Sequence, residues 1–255
     1  MNRWKSAGTS YAGAALLAAA FFIIWEAGAR WYDTPYILPA PSAVLQRLWE
    51  LADILFLVHL PATLLVIVTG LAVSIVCGVG IAVLMSRSRA VEKSVFPLLI
   101  TSQTIPIIAL APIFVLWFGY SMWSKVAVTV LITFFPITVG AFDGLRAASK
   151  DMEDLLRTMG AGSWQIFRKV QVPMALPSFY SGLKVAVTLS VIGAAIGEWL
   201  GADAGLGYFS RRMMTQMDAA GVFAPIVLLS LLGIGLFLGV KAIEYATTKR
   251  GGRRS

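Results

Sequence analysis

Residues 63–85 read TLLVIVTGLAVSIVCGVGIAVLM, a run without one charged side chain. A bilayer core about 30 Å thick is crossed by roughly 20 apolar residues in a helix. Hydrocarbon offers no partner to a free N–H or C=O, so such a run has to be helical. Reading outward from it, five further segments have the same character, at about 11–29, 95–119, 124–142, 177–199 and 223–245. The expected fold is an all-α membrane protein with six transmembrane helices. The expected organisation is a single transmembrane domain over 1–255. Its core covers about 55–248, and 1–54 forms an N-terminal helix and an external linker.

Composition agrees with lipid as the main solvent. Of the 255 residues 58% are hydrophobic and only 13% charged, where a soluble domain carries about 25% charge. The net charge of +8 does not point to nucleic acid, because the basic residues sit in the gaps between apolar runs and make no stripe. One cysteine, Cys77, excludes an internal disulfide and a cysteine-rich metal site. The lone histidine, His59, lies at a segment edge beside Leu60 and Pro61 and reads as an interfacial residue. Arg3 and Lys5 before an apolar stretch imitate a signal peptide. The run continues through Phe21-Phe22-Ile23-Ile24-Trp25, so the segment reads as an uncleaved first membrane helix.

With the N-terminus placed in the cytoplasm, fourteen Lys and Arg fall in inside segments and five in outside ones (Arg30, Arg47, Lys125, Arg211 and Arg212). Positive residues favour the cytoplasmic side, so both termini are expected inside. The localisation that follows is multi-pass, in a bacterial cytoplasmic (inner) membrane. The tail Lys249-Arg250-Gly251-Gly252-Arg253-Arg254 suits either anionic lipid or a solvated end that fixes topology.

The third segment is irregular. Pro97, Pro106 and Pro112 punctuate it, and Thr101-Ser102-Gln103-Thr104 is polar. Proline removes a helix hydrogen bond and forces a bend. A break at membrane depth is tolerated where it is buried in protein or lines a cavity. Gln103, Thr104 and Pro106 are therefore candidates for a translocation path. Glu198 is a fourth candidate, as an ionisable group at the end of the fifth segment; its suggested role is an outer gate or a cargo contact.

The longest inside connection, 143–176, contains DLLRTMGAGSWQIFRKVQVP at 154–173. Met152, Leu155, Leu156 and Met159 recur at helical spacing. Gly160-Ala161-Gly162 breaks the run, and Ser163 is placed to cap a second short helix. Trp164, Phe167 and Val170 continue on that helix, and Pro173 and Pro177 are expected to end it. An exposed apolar face on such helices needs a cover. The protein's own membrane helices, the lipid interface and a partner groove all remain open on pattern alone.

The spacing of this loop resembles the cytoplasmic signature of permease subunits of ATP-driven, binding-protein-dependent (ABC-type) importers. In that signature an acidic residue and two alanines precede a glycine, and nine residues later comes an aliphatic-x-aliphatic-proline run. Here the elements are Asp154-Leu155-Leu156, Gly160 and Val170-Gln171-Val172-Pro173. The small alanines are replaced by leucines, which changes the surface offered to a groove while keeping the acid and the spacing. Gln103-Thr104-Ile105-Pro106 through Trp117-Phe118-Gly119 is similar to the nitrate/sulfonate/taurine-type permeases. Gly197-Glu198 through Gly205-Leu206-Gly207-Tyr208 and Pro39-Ala40-Pro41-Ser42 fit the same group. The likeness extends from about Ile37 to Ala246. Gly-Glu-Trp-Leu-Gly-Ala followed by Gly-Leu-Gly-Tyr looks most like permeases for thiamine-precursor pyrimidines or related heterocycles.

The resemblance implies a type I importer-like fold with a coupling helix between helices 4 and 5. It also implies a docking role for Asp154, Leu155, Leu156, Gly160, Ala161, Trp164, Val170, Val172 and Pro173. The implied partners are an ATP-binding subunit dimer, an extracytoplasmic solute-binding protein and a second copy of this chain. The chain has no Gly-x-x-x-x-Gly-Lys-Ser/Thr phosphate loop, so ATP and Mg are expected on the partner, with no cofactor and no catalytic site here. The cargo implied is a small organic solute, with a sulfonate, taurine or nitrate importer as the alternative. A different class, an ATPase-independent secondary transporter, would need its own coupling-ion site and an inverted repeat, and neither is evident. Gly193, Gly197 and Gly201, four residues apart, allow close helix approach, either at a dimer seam or pore or within one subunit. Arg211 and Arg212 suit acidic residues of a binding protein or a solvated loop.

Overall fold

The computed structural model describes the backbone of residues 3–147 and 150–251, and side chains mainly over 15–147 and 152–247. The basic tail beyond Thr247, together with Arg3 and Lys5, lies outside the described side chains. Among the described residues the chain is helical, with no strand. The helices are α1 (Arg3–Tyr32), α2 (Pro41–Glu50), α3 (Ala52–Arg87), α4 (Arg89–Thr104) and α5 (Ile107–Phe118). There follow α6 (Met122–Arg146), α7 (Lys150–Thr158), α8 (Ser163–Gly201), α9 (Leu206–Thr215) and α10 (Ala219–Gly251).

Four of these, α3, α6, α8 and α10, are long and apolar enough to cross a membrane. The pair α4 and α5 passes the same test together, but bends by 101°. The third segment is therefore two helices rather than one kinked rod. The polar residues Thr101 to Thr104 close α4, and the break falls on Ile105 and Pro106, both extended at ψ 124° and 115°. Pro106 disfavours helical geometry at Ile105 and donates no amide of its own. The described residues thus give up to five crossings. The sixth expected one corresponds to α1, where Leu16, Leu17, Ile23 and Ile24 are exposed as a lipid-facing run would be.

The core is the contact of α6 with α8, and glycine makes it possible. A Cβ on Gly182 would land on the Pro136 carbonyl oxygen, and one on Gly144 would lie 2.6 Å from the Ala175 carbonyl. Gly193 abuts Thr129, Gly197 abuts Lys125, and Gly201 meets Tyr120 and Val115. The Gly193/197/201 row therefore packs within one subunit, not at a seam between copies. In lipid, where apolar burial gives little drive between helices, such backbone approach supplies dispersion contact. Buried hydroxyls are satisfied locally: Thr133 donates to the Thr129 carbonyl at 2.8 Å and lies 2.6 Å from Ser74 on α3.

Two wide π turns are set into the long helices, Leu55–His59 in α3 and Phe167–Gln171 in α8. The second changes an expectation. Pro173 and Pro177 do not end a short helix. The wide turn lets the chain pass into regular helix at Val172, and its wider hydrogen-bond register takes up Pro173, which has no N–H to donate. The membrane helix α8 is thereby continuous with the loop helix. Ser163 is not a cap either. It is already inside α8, and Gly162 holds the cap position with its N–H donating to Gln165 Oε1 at 3.0 Å.

At the other end of the chain, Glu26 of α1 accepts from the Ser42 amide at 3.0 Å and from Ser42 Oγ at 2.7 Å. Its carboxylate thus caps the N-terminus of α2, where negative charge is favoured. Arg47 on α2 bridges to Glu50 and to Asp218, both at 2.9 Å, which fastens the linker to the start of α10.

Candidate functional site

Residues 150–173 form an elbow. The helix α7 ends in a Schellman turn: Ala161 N–H donates to the Leu156 carbonyl at 2.9 Å and Gly160 N–H to the Arg157 carbonyl at 3.0 Å. Gly160 sits at φ +84°, the left-handed conformation that this turn requires and that glycine adopts without a Cβ penalty. The glycine expected to break the run is the residue that turns the chain.

The elbow is fixed to the body on one side only. Gln171 Nε2 donates to Glu153 Oε1 at 2.6 Å, joining its two arms. Trp164 stacks on Phe167 at 5.6 Å, and the Arg87 guanidinium at the end of α3 lies over the Phe167 ring at 4.8 Å. Ile166 is buried beneath. The other side is exposed: Leu155 is 56% exposed, Met159 75% and Trp164 63%, with Asp154 exposed beside them. Leu156 and Ala161 are half-buried. Of the expected docking residues, Asp154 to Trp164 come together on this elbow. Val170, Val172 and Pro173 lie further along, in the π turn and the first turn of regular helix, with Val172 and Pro173 exposed.

The expected path residues separate. Gln103, Thr104 and Pro106 are all exposed at the bend between α4 and α5. Glu198 is 1% exposed and belongs to a second constellation, at the N-terminus of α9. Three consecutive amides there are held by three side chains. Gly205 N–H donates to His59 Nδ1 at 3.1 Å, Leu206 N–H to Thr63 Oγ1 at 2.8 Å and Gly207 N–H to Glu198 Oε2 at 2.8 Å. His59 and Thr63 come from α3 and Glu198 from α8. The open amides of a helix start are satisfied here by tertiary partners.

The glycines in Gly-Leu-Gly are required by this arrangement. Gly205 has φ +125°, and a Cβ there would fall on the Glu198 carboxylate. A Cβ on Gly207 would lie 2.6 Å from the Ala195 carbonyl oxygen. His59 is buried within the protein, and its ring packs on Phe209 at 4.8 Å. Sequence reading missed His59 and Thr63 as partners of this motif. Their spacing of four, one helical turn, was the available signal. Since Nδ1 accepts, the proton of the neutral ring is on Nε2, which finds no partner among the described residues, like Glu198 Oε1.

Beside α9 a recess of about 510 Å³ is lined by Tyr120, Asp203, Tyr208, Arg211 and Arg212, among others. Arg211 is anchored there by donating to the Trp199 carbonyl. No group of three or more His, Cys, Asp or Glu suited to a metal occurs among the described residues.

Comparison with known proteins agrees with this architecture. Residues 74–249 match the family described as "Binding-protein-dependent transport system inner membrane component". The formylaminopyrimidine transport permease protein ThiX of Halalkalibacterium halodurans is 60% identical over 87% of this chain and 89% of its own length. The riboflavin transport system permease protein RibX of Chloroflexus aurantiacus is 31% identical over 87% of this chain and 84% of its own. Among solved structures, a chain of the inward-facing MetNI methionine ABC transporter superposes with a TM-score of 0.63 at 23% identity, covering 72% of this chain and 92% of that one; this likeness concerns the fold. A match across most of the apolar body, together with a relative of this identity and coverage, means that the chain belongs to the binding-protein-dependent transport system inner membrane component family and is an ABC importer permease for a small solute.

Proposed function

We propose that this permease subunit imports a formylaminopyrimidine or a similar amino-substituted heterocycle and that a separate ATPase drives it through the elbow at 150–173. The chain acts as one transmembrane permease unit, paired with a second copy, with both termini in the cytoplasm. A solute-binding protein delivers the cargo from the opposite side. The cargo reading rests on the 60% identity to a formylaminopyrimidine permease. The motifs shared with sulfonate and taurine carriers keep those solutes as the alternative.

The observation that carries the coupling reading is the exposed apolar side of the elbow. Leu155, Met159 and Trp164 are large, exposed and backed by a rigid attachment through Phe167 and Arg87. An apolar patch of this kind on a polar loop marks an interaction surface. Because the second arm of the elbow, which carries Trp164, is the start of α8, a displacement of the elbow reaches the membrane helix through continuous backbone. A driving partner must bind this face differently in two states, since only differential affinity shifts a conformational equilibrium. The bend at Gln103, Thr104 and Pro106 stays a candidate stretch of the path. Glu198 is reassigned as the cap of α9.

The test is uptake of radiolabelled formylaminopyrimidine by cells expressing this chain with its ATPase and binding protein, with excess taurine as competitor. Uptake that needs ATP hydrolysis and ignores taurine agrees with the proposal. Uptake without the ATPase would make the chain a secondary transporter.

A further inference from the structure

Two polar contacts join α8 to the C-terminal part of α10. Lys184 Nζ lies 2.8 Å from Glu244 Oε2, with the two side chains 23% and 25% exposed. One turn nearer the elbow on α8, the buried Tyr180 has its hydroxyl 3.1 Å from Thr247 Oγ1. Elsewhere α10 offers α8 apolar side chains such as Leu232, Leu236 and Val240, which pack on the core cluster that includes Val187 and Val191. No glycine locks the two backbones together as in the α6–α8 contact. A Cβ on Gly235 or Gly239 would meet nothing within 4 Å, and one on Gly233 would touch Val191 at an ordinary 3.7 Å. Apolar side-chain contact gives little drive between helices in lipid. The register of α10 on α8 is therefore set where the polar groups pin it.

Stability alone does not call for a charged pin. Ionisable side chains in membrane segments are costly, and an apolar pair of similar volume is often as stable as a buried ion pair, or more so. What Lys184 and Glu244 add is a single registered position of one helix on the other. The two helices they join are mechanically distinct. The first residues of α8 are the second arm of the elbow. The far end of α10 is bridged through Asp218 to Arg47 on α2. Thus α10 stands between the elbow-bearing helix and the linker that follows α1.

We propose that Lys184 and Glu244 are positioning residues for transport: their ion pair makes α10 follow α8 when the elbow is displaced, and so carries the movement to α2 at the far end of α10. The pair stays closed through the cycle. This rests on the elbow reading above and does not depend on which solute is carried.

The complete transporter is reconstituted in liposomes with its ATPase, and the readout is the factor by which added binding protein stimulates ATP hydrolysis. Glu244→Gln should lower that factor about tenfold, within the usual range of coupling between distant sites. The double variant Lys184→Met with Glu244→Met leaves no unpaired charge, so it should fold as well as wild type and lose the stimulation equally. The swapped pair, Lys184→Glu with Glu244→Lys, should restore most of it. In a Cys77→Ala background, Lys184→Cys with Glu244→Cys should lose stimulation and regain it when a short bifunctional thiosulfonate joins the two positions. The ATPase should co-purify with every variant. Full stimulation of the double Met variant would overturn the proposal, whatever its melting temperature. A swapped pair no better than Glu244→Gln would overturn it, and so would a cross-link that blocks stimulation, since the pair would then have to open. If the unsubstituted transporter holds no ATPase, or hydrolyses ATP without regard to the binding protein, the elbow reading fails and the clasp falls with it. If it is stimulated and the variants match it, the clasp alone falls.

Discussion

The amide of Gly207 donates to the carboxylate of Glu198 at 2.8 Å, nine residues earlier in the chain. This bond closes the sharp passage from α8 to α9, with His59 and Thr63 taking the two preceding amides. A motif that invites a cargo-binding reading is thus a structural knot joining α3, α8 and α9, the helix that bears Arg211 and Arg212.

Glu198→Ala leaves the Gly207 amide buried without a partner, which costs about 1–3 kcal/mol. Glu198→Gln keeps an acceptor and costs less. Thermal melts of the detergent-solubilised protein should rank wild type above Gln above Ala. An Ala variant as stable as wild type would remove the capping role.

Gly205→Ala has to accommodate both φ +125° and a Cβ placed on the Glu198 carboxylate. Strain of this kind is worth about 1–3 kcal/mol before the clash is counted, so this substitution should destabilise more than Gly13→Ala, where a Cβ meets nothing within 4 Å. Comparing the two melts checks it.

Gly160→Val tests the elbow. Nothing lies within 4 Å of an added Cβ, so any effect comes from φ +84° and amounts to about 1–2 kcal/mol locally. Membrane insertion should be normal and ATP-driven uptake strongly reduced, with ATP hydrolysis uncoupled from transport. Uptake at the wild-type rate would count against docking through this turn.

Leu155→Glu combined with Met159→Glu places charge on the exposed apolar side. Neither residue is buried, so the melting of the chain should move by no more than about 0.5 kcal/mol in equivalent stability. Co-purification with the ATPase should be lost. Retention of the ATPase by this double variant would move the docking surface elsewhere.

Acid should loosen the α2 linker. Glu50 is held below the usual carboxylate range, chiefly because the Arg47 guanidinium donates to it and then because Gln46 does. A carboxylate with a depressed folded pKa contributes stability that is complete above its unfolded pKa and is lost as pH falls through the folded one. Limited proteolysis of the segment before Leu51 should be constant from neutral pH down to about 5 and accelerate below the ordinary carboxylate pKa of about 4.3. High salt should weaken the same exposed contact.

The sequence by itself determined the solvent and the broad plan. The charge-free run at 63–85 demanded a helix in lipid, and the other apolar segments located α6, α10 and the C-terminal end of α8, whereas the start of α8 at Ser163 lies well before the expected segment. It also located the turn at Gly160, because a left-handed C-terminal cap has a short-range signature that glycine alone satisfies cheaply. Tertiary structure decided the rest. Whether Pro106 kinks a rod or separates two helices at 101° depends on what packs against each arm. Whether Pro173 ends a helix depends on the π turn before it. Glu198 could be assigned only once His59 and Thr63, some 140 residues away, stood beside the same three amides. Local pattern fixes backbone and hydropathy, whereas the partner of a buried polar group is set by which distant helix arrives next to it.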